Sequence, residues 1–150
     1  MSDTNLDIEK LKNLQFKIMK DVAASALIPL MRIGDQLGLF QKLSELGPIN
    51  SKKFAEQVRV DERYLREWLY ALSATDFVSY DGANEEFSLS PEQKAVFADE
   101  EGPANMMGAY EVLAGQVYAE EKVLDAFKTG KGVAYELSLI HISEPTRLRR

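Results

Sequence analysis

Apolar side chains recur at intervals of three and four along the first part of the chain: Leu11, Leu14, Ile18 and Val22 share one side of residues 6–22, and Glu9, Lys10, Lys12, Lys17 and Lys20 fill the other. The spacing predicts an amphipathic helix. Residues 22–31 are apolar almost all the way round, so a helix there that packs one face on its own core leaves another bare, and a second apolar surface has to cover it. Pro29 lacks the N–H that would bond to Ser25 and predicts a kink, and Gly38 predicts the helix stop. Residues 39–46 predict a short helix closed by Gly47-Pro48. Ser51 is expected to cap the helix after it, which buries Phe54, Ala55 and Val58.

The strongest periodicity lies in "DERYLREWLYALSATDF", where Asp61 is a good N-cap. Tyr64, Leu65, Trp68, Leu69 and Leu72 form one helical stripe, which places Tyr64 and Trp68 in the core. The segments "FVSY" and "FSL" alternate in polarity on either side of "DGANEE" and predict a hairpin turning at Asp81-Gly82. Ser90-Pro91 predicts another short helix with Val96 and Phe97 turned inward. From about Pro103 a long helix is expected, with Met106, Tyr110, Leu113, Val117, Leu124 and Phe127 on roughly one side. The expected fold is mainly α: a winged helix-turn-helix with a small two-stranded β-hairpin as its wing and flanking long helices.

Composition narrows the chemistry. The 150 residues suffice for one domain with a real core, and 45% apolar with 28% charged residues is ordinary for a soluble globular chain. With no cysteine there are neither disulfides nor thiolate metal sites, which fits a cytoplasmic protein. The start, "MSDTNLDIEK", does not read as a signal peptide, and the apolar run of residues 22–31 is about half of the roughly 20 residues a membrane span needs. Net charge is −6, and the acid is concentrated: residues 61–90 carry −5 and residues 91–136 another −5. Phosphate is repelled by such a body, so nucleic acid and anionic membranes are not expected partners.

A DNA-reading winged helix puts the exposed face of its second helix in the major groove and grips phosphates with basic side chains. Here Glu62, Arg63, Arg66, Glu67, Tyr70 and Ser73 are expected to face outward. Glu62 with Arg66 and Arg63 with Glu67 are spaced to neutralise each other. The wing carries Asp81, Glu85 and Glu86 where phosphate contact needs lysine or arginine, and Lys52-Lys53 is the basic pair nearby.

Residues 33–97, above all "GLF" at 38–40, "ERYLREWL" at 62–69 and "SLSPE" at 88–92, resemble the N-terminal winged-helix domain of class I S-adenosylmethionine-dependent methyltransferases. The resemblance covers about residues 20–135. It implies a homodimerisation role, one wall of a pocket for a small-molecule methyl acceptor, and a Rossmann-like catalytic domain beyond. Leu27, Ile28, Leu30 and Met31 are then the candidate dimer interface. Met106, Met107, Tyr110 and Tyr118 are the candidate substrate-pocket wall, although by residue type alone they read as core or dimer packing. Two departures stand out. The turn before the second helix reads "VRV", without the glycine frequent in relatives. The family's glycine-rich cofactor loop has no counterpart, since "TGKG" at 129–132 is placed after a helix and lacks the Ser/Thr of a phosphate loop.

The last fourteen residues, "LSLIHISEPTRLRR", resemble a translated sequencing-library adapter. They reverse the charge to +2 and hold the only histidine, His141. Native sequence is therefore expected to about Glu136, with residues 1–37 as dimerisation helices, 38–98 as the winged helix, 99–136 as a linker helix toward a missing catalytic domain, and 137–150 as a non-native tail. On that reading there is no catalytic residue, no metal ligand set and no cofactor site in the chain; the acidic run Asp99, Glu100, Glu101 reads as solvated loop. S-adenosylmethionine is implied only for the full-length parent. A winged-helix DNA-binding transcription regulator and a stand-alone protein-interaction module are the alternatives.

Overall fold

A computed structural model describes residues 6–133, so the adapter-like tail lies outside the described residues. Helix α1 (Ile8–Ser25) starts at Asp7, whose carboxylate accepts from the backbone N–H groups of Glu9 and Lys10. The chain bends at Ala26 and continues as α2 (Leu27–Gln36), because Pro29 has no N–H to give to Ser25. Gly38 ends α2 in the left-handed region, at φ +64°, where its N–H bonds the Asp35 carbonyl. The expected kink and stop are both present.

Three helices then form the helix-turn-helix: α3 (Leu39–Leu46), α4 (Ser51–Val58) and α5 (Glu62–Ser73). The cap of α4 is Asn50 and not Ser51, since Asn50 Oδ1 accepts from the Lys53 N–H at 3.0 Å. Ser51 donates instead to Glu62 Oε1 at 2.7 Å and ties α4 to α5. Arg59 ends α4 with φ +56°, taking the left-handed position without glycine. Asp61 caps α5 through the Arg63 and Tyr64 N–H groups, as the sequence predicts.

The wing is β1 (Ser79–Asp81) paired antiparallel with β2 (Glu86–Ser88), Tyr80 opposite Phe87. On the far side of β2, Phe87 and Ile49 exchange both backbone bonds, at 3.0 and 2.9 Å. A single residue before α4 thus anchors the wing to the helices. Helix α6 (Pro91–Phe97) begins with a full capping box, Ser90 and Gln93 each satisfying the other's backbone N–H. Two helices follow, α7 (Met107–Tyr118) and α8 (Glu120–Thr129), broken at Ala119. The single long helix expected from Pro103 is therefore two shorter ones beginning at Met107.

The core joins the winged helix to α2 and α7. Phe40, Leu43, Phe54, Leu69 and Leu72 are fully buried, and Phe40 meets Trp68 edge-on with ring centroids 5.2 Å apart. Trp68 Nε1 donates to the Leu30 carbonyl at 2.8 Å, which fixes α2 against α5. Gly34 lets this approach happen, because a Cβ there would lie 2.5 Å from the Trp68 ring and 2.6 Å from Phe40. Trp68 is core as expected, but Tyr64 is not: it is 76% exposed. A stripe containing Leu65, Trp68, Leu69 and Leu72 already fills the buried arc of α5, and Tyr64 lies beyond its edge.

Candidate functional site

Two surfaces present side chains that the fold leaves largely exposed. The first is apolar. Helix α1 fully buries none of its residues, and of its predicted apolar stripe Leu14, Ile18 and Val22 are exposed and Leu11 is half-buried. The same holds for α8, where Phe127 is 86% exposed beside Val123 and Leu124. Ile33 on α2, Leu37 just after it, and Val112, Leu113 and Val117 on α7 add to the bare area. Scattered apolar residues are normal on a surface, but exposed apolar side chains repeated along several helices exceed that scatter.

Helix α7 turns a different side inward from the one the spacing indicated. Met107, Ala114 and Gly115 are buried, while Met106, Leu113 and Val117 point out. Small residues allow α7 to lie close on α2, and Arg32 clamps the pair by donating to Glu111 at 2.8 Å and 3.3 Å. That hydrogen bond raises the Arg32 pKa further, against the opposing effect of burial, so the guanidinium stays charged at any ordinary pH.

The candidate dimer residues divide. Met31 is fully buried in the chain's own core and offers nothing to a partner, which corrects its assignment; Leu27, Ile28 and Leu30 are partly buried, Leu27 and Leu30 against that core. The candidate pocket-wall residues do not converge either. Met107 and Tyr110 pack inward, and burial pushes the Tyr110 hydroxyl pKa up, whereas Met106 and Tyr118 face outward, Tyr118 70% exposed. Phe127 lies on the stripe expected for the last helix and is exposed, whereas the exposed Ile33 and Leu37, flanked by Arg32, Gly34, Gln36 and Gly38, are not singled out by the sequence pattern.

The second surface is the outer side of the wing and α5. Glu62 accepts from Arg66 at 3.2 Å, as spaced, so this arginine is engaged within its own helix. Tyr70, Tyr80 and Phe87 form an aromatic cluster with centroids 4.7–5.4 Å apart. A hydrogen bond with the Tyr70 hydroxyl pushes the Tyr80 pKa up to about 12. Asp81 is held below the usual carboxylate range, first by the Asn84 side-chain amide and then by the Ala83 N–H, so the wing tip remains anionic. Because the folded pKa of Tyr80 lies above its ordinary value near 10, its contribution to the wing is complete below pH 10 and is lost as pH rises toward 12. Phenolate absorbance on titration should show one tyrosine ionising near pH 12, and Tyr80→Phe should remove that late step.

Other functional devices are sparse. Asp99, Glu100 and Glu101 border an open hollow of about 550 Å3 with Gly38, Gln41 and Lys42, and Gln41 Nε2 donates to Glu100 at 3.2 Å. Among the described residues no group of three or more His, Asp or Glu side chains is arranged to hold a metal ion, and no helix is long and apolar enough to cross a membrane. Gly130 adopts φ +69° with its N–H on the Ala126 carbonyl, so it serves as the stop of α8. "TGKG" is consequently a helix terminus and does not fit the amino-acid end of S-adenosylmethionine.

No curated protein sequence matches the chain. Among solved structures, human N-acetylserotonin methyltransferase in complex with SAM is similar at a TM-score of 0.63 and 16% identity, over 98% of this chain and 44% of that one. PigF with SAH is similar at a TM-score of 0.52 and 15% identity, over 85% of this chain and 38% of that one. The chain thus spans less than half the length of either, and at these identities the likeness establishes the fold. The profile of the Rv2258c-like winged HTH domain matches residues 23–98, which is half of the chain and runs from the end of α1 through the wing to α6. This chain belongs to the Rv2258c-like winged HTH domain family.

Proposed function

We propose that these residues are the N-terminal dimerisation and substrate-pocket-wall domain of a SAM-dependent methyltransferase whose cofactor site and catalytic groups lie in a Rossmann-like domain outside residues 1–136. The observation that carries this reading is the unburied apolar face of α1, α2, α7 and α8, attached to a winged helix whose wing is anionic. A surface of that kind suits a protein partner and repels a duplex. The likeness to the human methyltransferase over nearly the whole of this chain supports it.

Residues 1–37 then supply the dimer contacts, residues 38–98 the winged helix, and residues 99–136 the connection toward catalysis. The partner is a second copy of the chain, and the methyl acceptor is a small molecule held between the two domains. What this domain contributes to catalysis is position, because a wall that fixes the acceptor replaces a bimolecular encounter with an aligned one.

Two observations test the proposal. Titrating the 150-residue chain with S-adenosylmethionine in a calorimeter should give no saturable heat, and a stoichiometric binding isotherm would sink the assignment of the cofactor site elsewhere. Reading the chromosomal frame past codon 136 should reveal a strand followed by a glycine-rich loop in place of the adapter-like residues.

A further inference from the structure

We propose that the free edge of β1, with the tyrosine-lined groove beside it, docks an extended lysine- or arginine-rich segment of a partner protein as an added strand. This role is separate from dimerisation and from methyl transfer, and it rests on three features of the wing.

The first is the hydrogen-bond pattern. Phe87 gives both backbone groups to Ile49. In an antiparallel ladder such groups alternate sides, so Tyr80, which lies opposite Phe87, turns its own N–H and C=O away from β2. Among the described residues no strand pairs with that outer edge. The start of β1 is already fixed: Ser79 Oγ donates to Gln93 Oε1 at 2.9 Å and Gln93 Nε2 donates to the Asp76 carbonyl at 2.8 Å. An incoming strand would meet a preformed edge and little ordering cost.

The second is the groove, an open trough of about 600 Å3 lined by Tyr70, Ser73, Val78, Ser79 and Tyr80 among others. Its two tyrosine rings are both partly exposed and meet edge-on at 5.4 Å, which suits aliphatic or cationic side chains of a strand lying along β1.

The third feature is charge, and it selects the occupant. From Glu67 to Gln93 the chain has Glu67, Asp76, Asp81, Glu85, Glu86 and Glu92 and not one lysine, arginine or histidine. Edge-to-edge pairing with a second copy would set these acids against themselves, and a nucleic-acid strand would meet the same repulsion. A basic segment is complementary, and strand addition supplies the register that charge alone lacks.

A fluorescein-labelled nine-residue peptide of alternating lysine and valine is the probe, titrated with the 150-residue chain and followed by anisotropy. Saturable binding is expected, with the Tyr80 amide resonance shifting. Affinity should fall about tenfold or more when alternate peptide amides are N-methylated on the pairing edge, and again with Glu85→Lys in the protein. The matching peptide of glutamate and valine should not bind. Absence of saturable binding would overturn the proposal. Binding that survives N-methylation unchanged would do the same, since it would show bulk charge attraction without strand pairing; this arm alters only the peptide and does not depend on a variant folding.

Discussion

Replacing Gly34 with valine is expected to destabilise the chain by about 3 kcal/mol or more, a large share of the ~5–15 kcal/mol that holds an ordinary domain together. Glycine inside a helix is normally a weakness, costing up to ~1 kcal/mol relative to alanine, so a substitution would stabilise if helix propensity were the only question. Space decides against it here. A Cβ at position 34 would sit 2.5 Å from Trp68 and 2.6 Å from Phe40. Neither ring is free to retreat: Trp68 is tethered to the Leu30 carbonyl at 2.8 Å, and Phe40 is enclosed between Trp68 and Phe97 at centroid distances of 5.2 and 5.4 Å. Gly108 provides the control, since nothing lies within 4 Å of a Cβ there and Gly108→Ala should hold or raise stability. Urea unfolding midpoints for the two variants should move in opposite directions or, at minimum, only the Gly34 variant should fall. Equal tolerance at both positions would mean that α2 does not lie on α5 as described.

The second large effect concerns assembly. If α1 forms the proposed dimer contact, Leu14→Lys combined with Ile18→Lys should abolish self-association while leaving the fold of each chain intact. Both side chains lie on α1, which fully buries nothing within its own chain, and lysine preserves helix propensity, so the change in unfolding stability of the isolated chain should be within about 0.5 kcal/mol. At an interface the arithmetic differs. Covering each such side chain is worth ~1.5–3 kcal/mol, and a twofold contact uses every one twice, so the pair of substitutions forfeits about 6 kcal/mol or more and weakens association roughly ten-thousandfold. A variant that unfolds would show instead that α1 packs on its own chain.

Much of the winged helix is legible in the sequence because its signals are local. Asp61 and Ser90 cap helices with side chains two or three residues from the N–H groups they satisfy, and the hairpin follows from alternation around a short turn. Where several groups compete for one role, local chemistry is ambiguous: Asn50 and Ser51 are both good caps, and only the proximity of Glu62 Oε1, eleven residues away, draws Ser51 off. The turn at Arg59 shows that left-handed geometry can be imposed by the packing on either side without glycine.

The apolar helices were less readable for a physical reason. Periodicity reports direction only when polar residues mark the opposite side, and α7 is apolar on most of its circumference. Its buried side is set by small residues, Ala114 and Gly115, that let it approach α2, so Leu113 and Val117 are left outside although Tyr110 of the same stripe packs inward. Met31 ends the run of residues 22–31 that is apolar nearly all round, where nothing in the sequence distinguishes the side facing the chain's own core from a side open to a partner. The Arg32–Glu111 clamp joins residues 79 apart and has no local signature at all.

Whether a second copy covers the exposed apolar helices is read most directly by sedimentation equilibrium of the 150-residue chain at micromolar concentration. A reversible species of twice the 16.9 kDa chain mass is expected, converted to the single-chain mass by Leu14→Lys with Ile18→Lys. A wild-type chain that remains monomeric and well folded across that concentration range would contradict it.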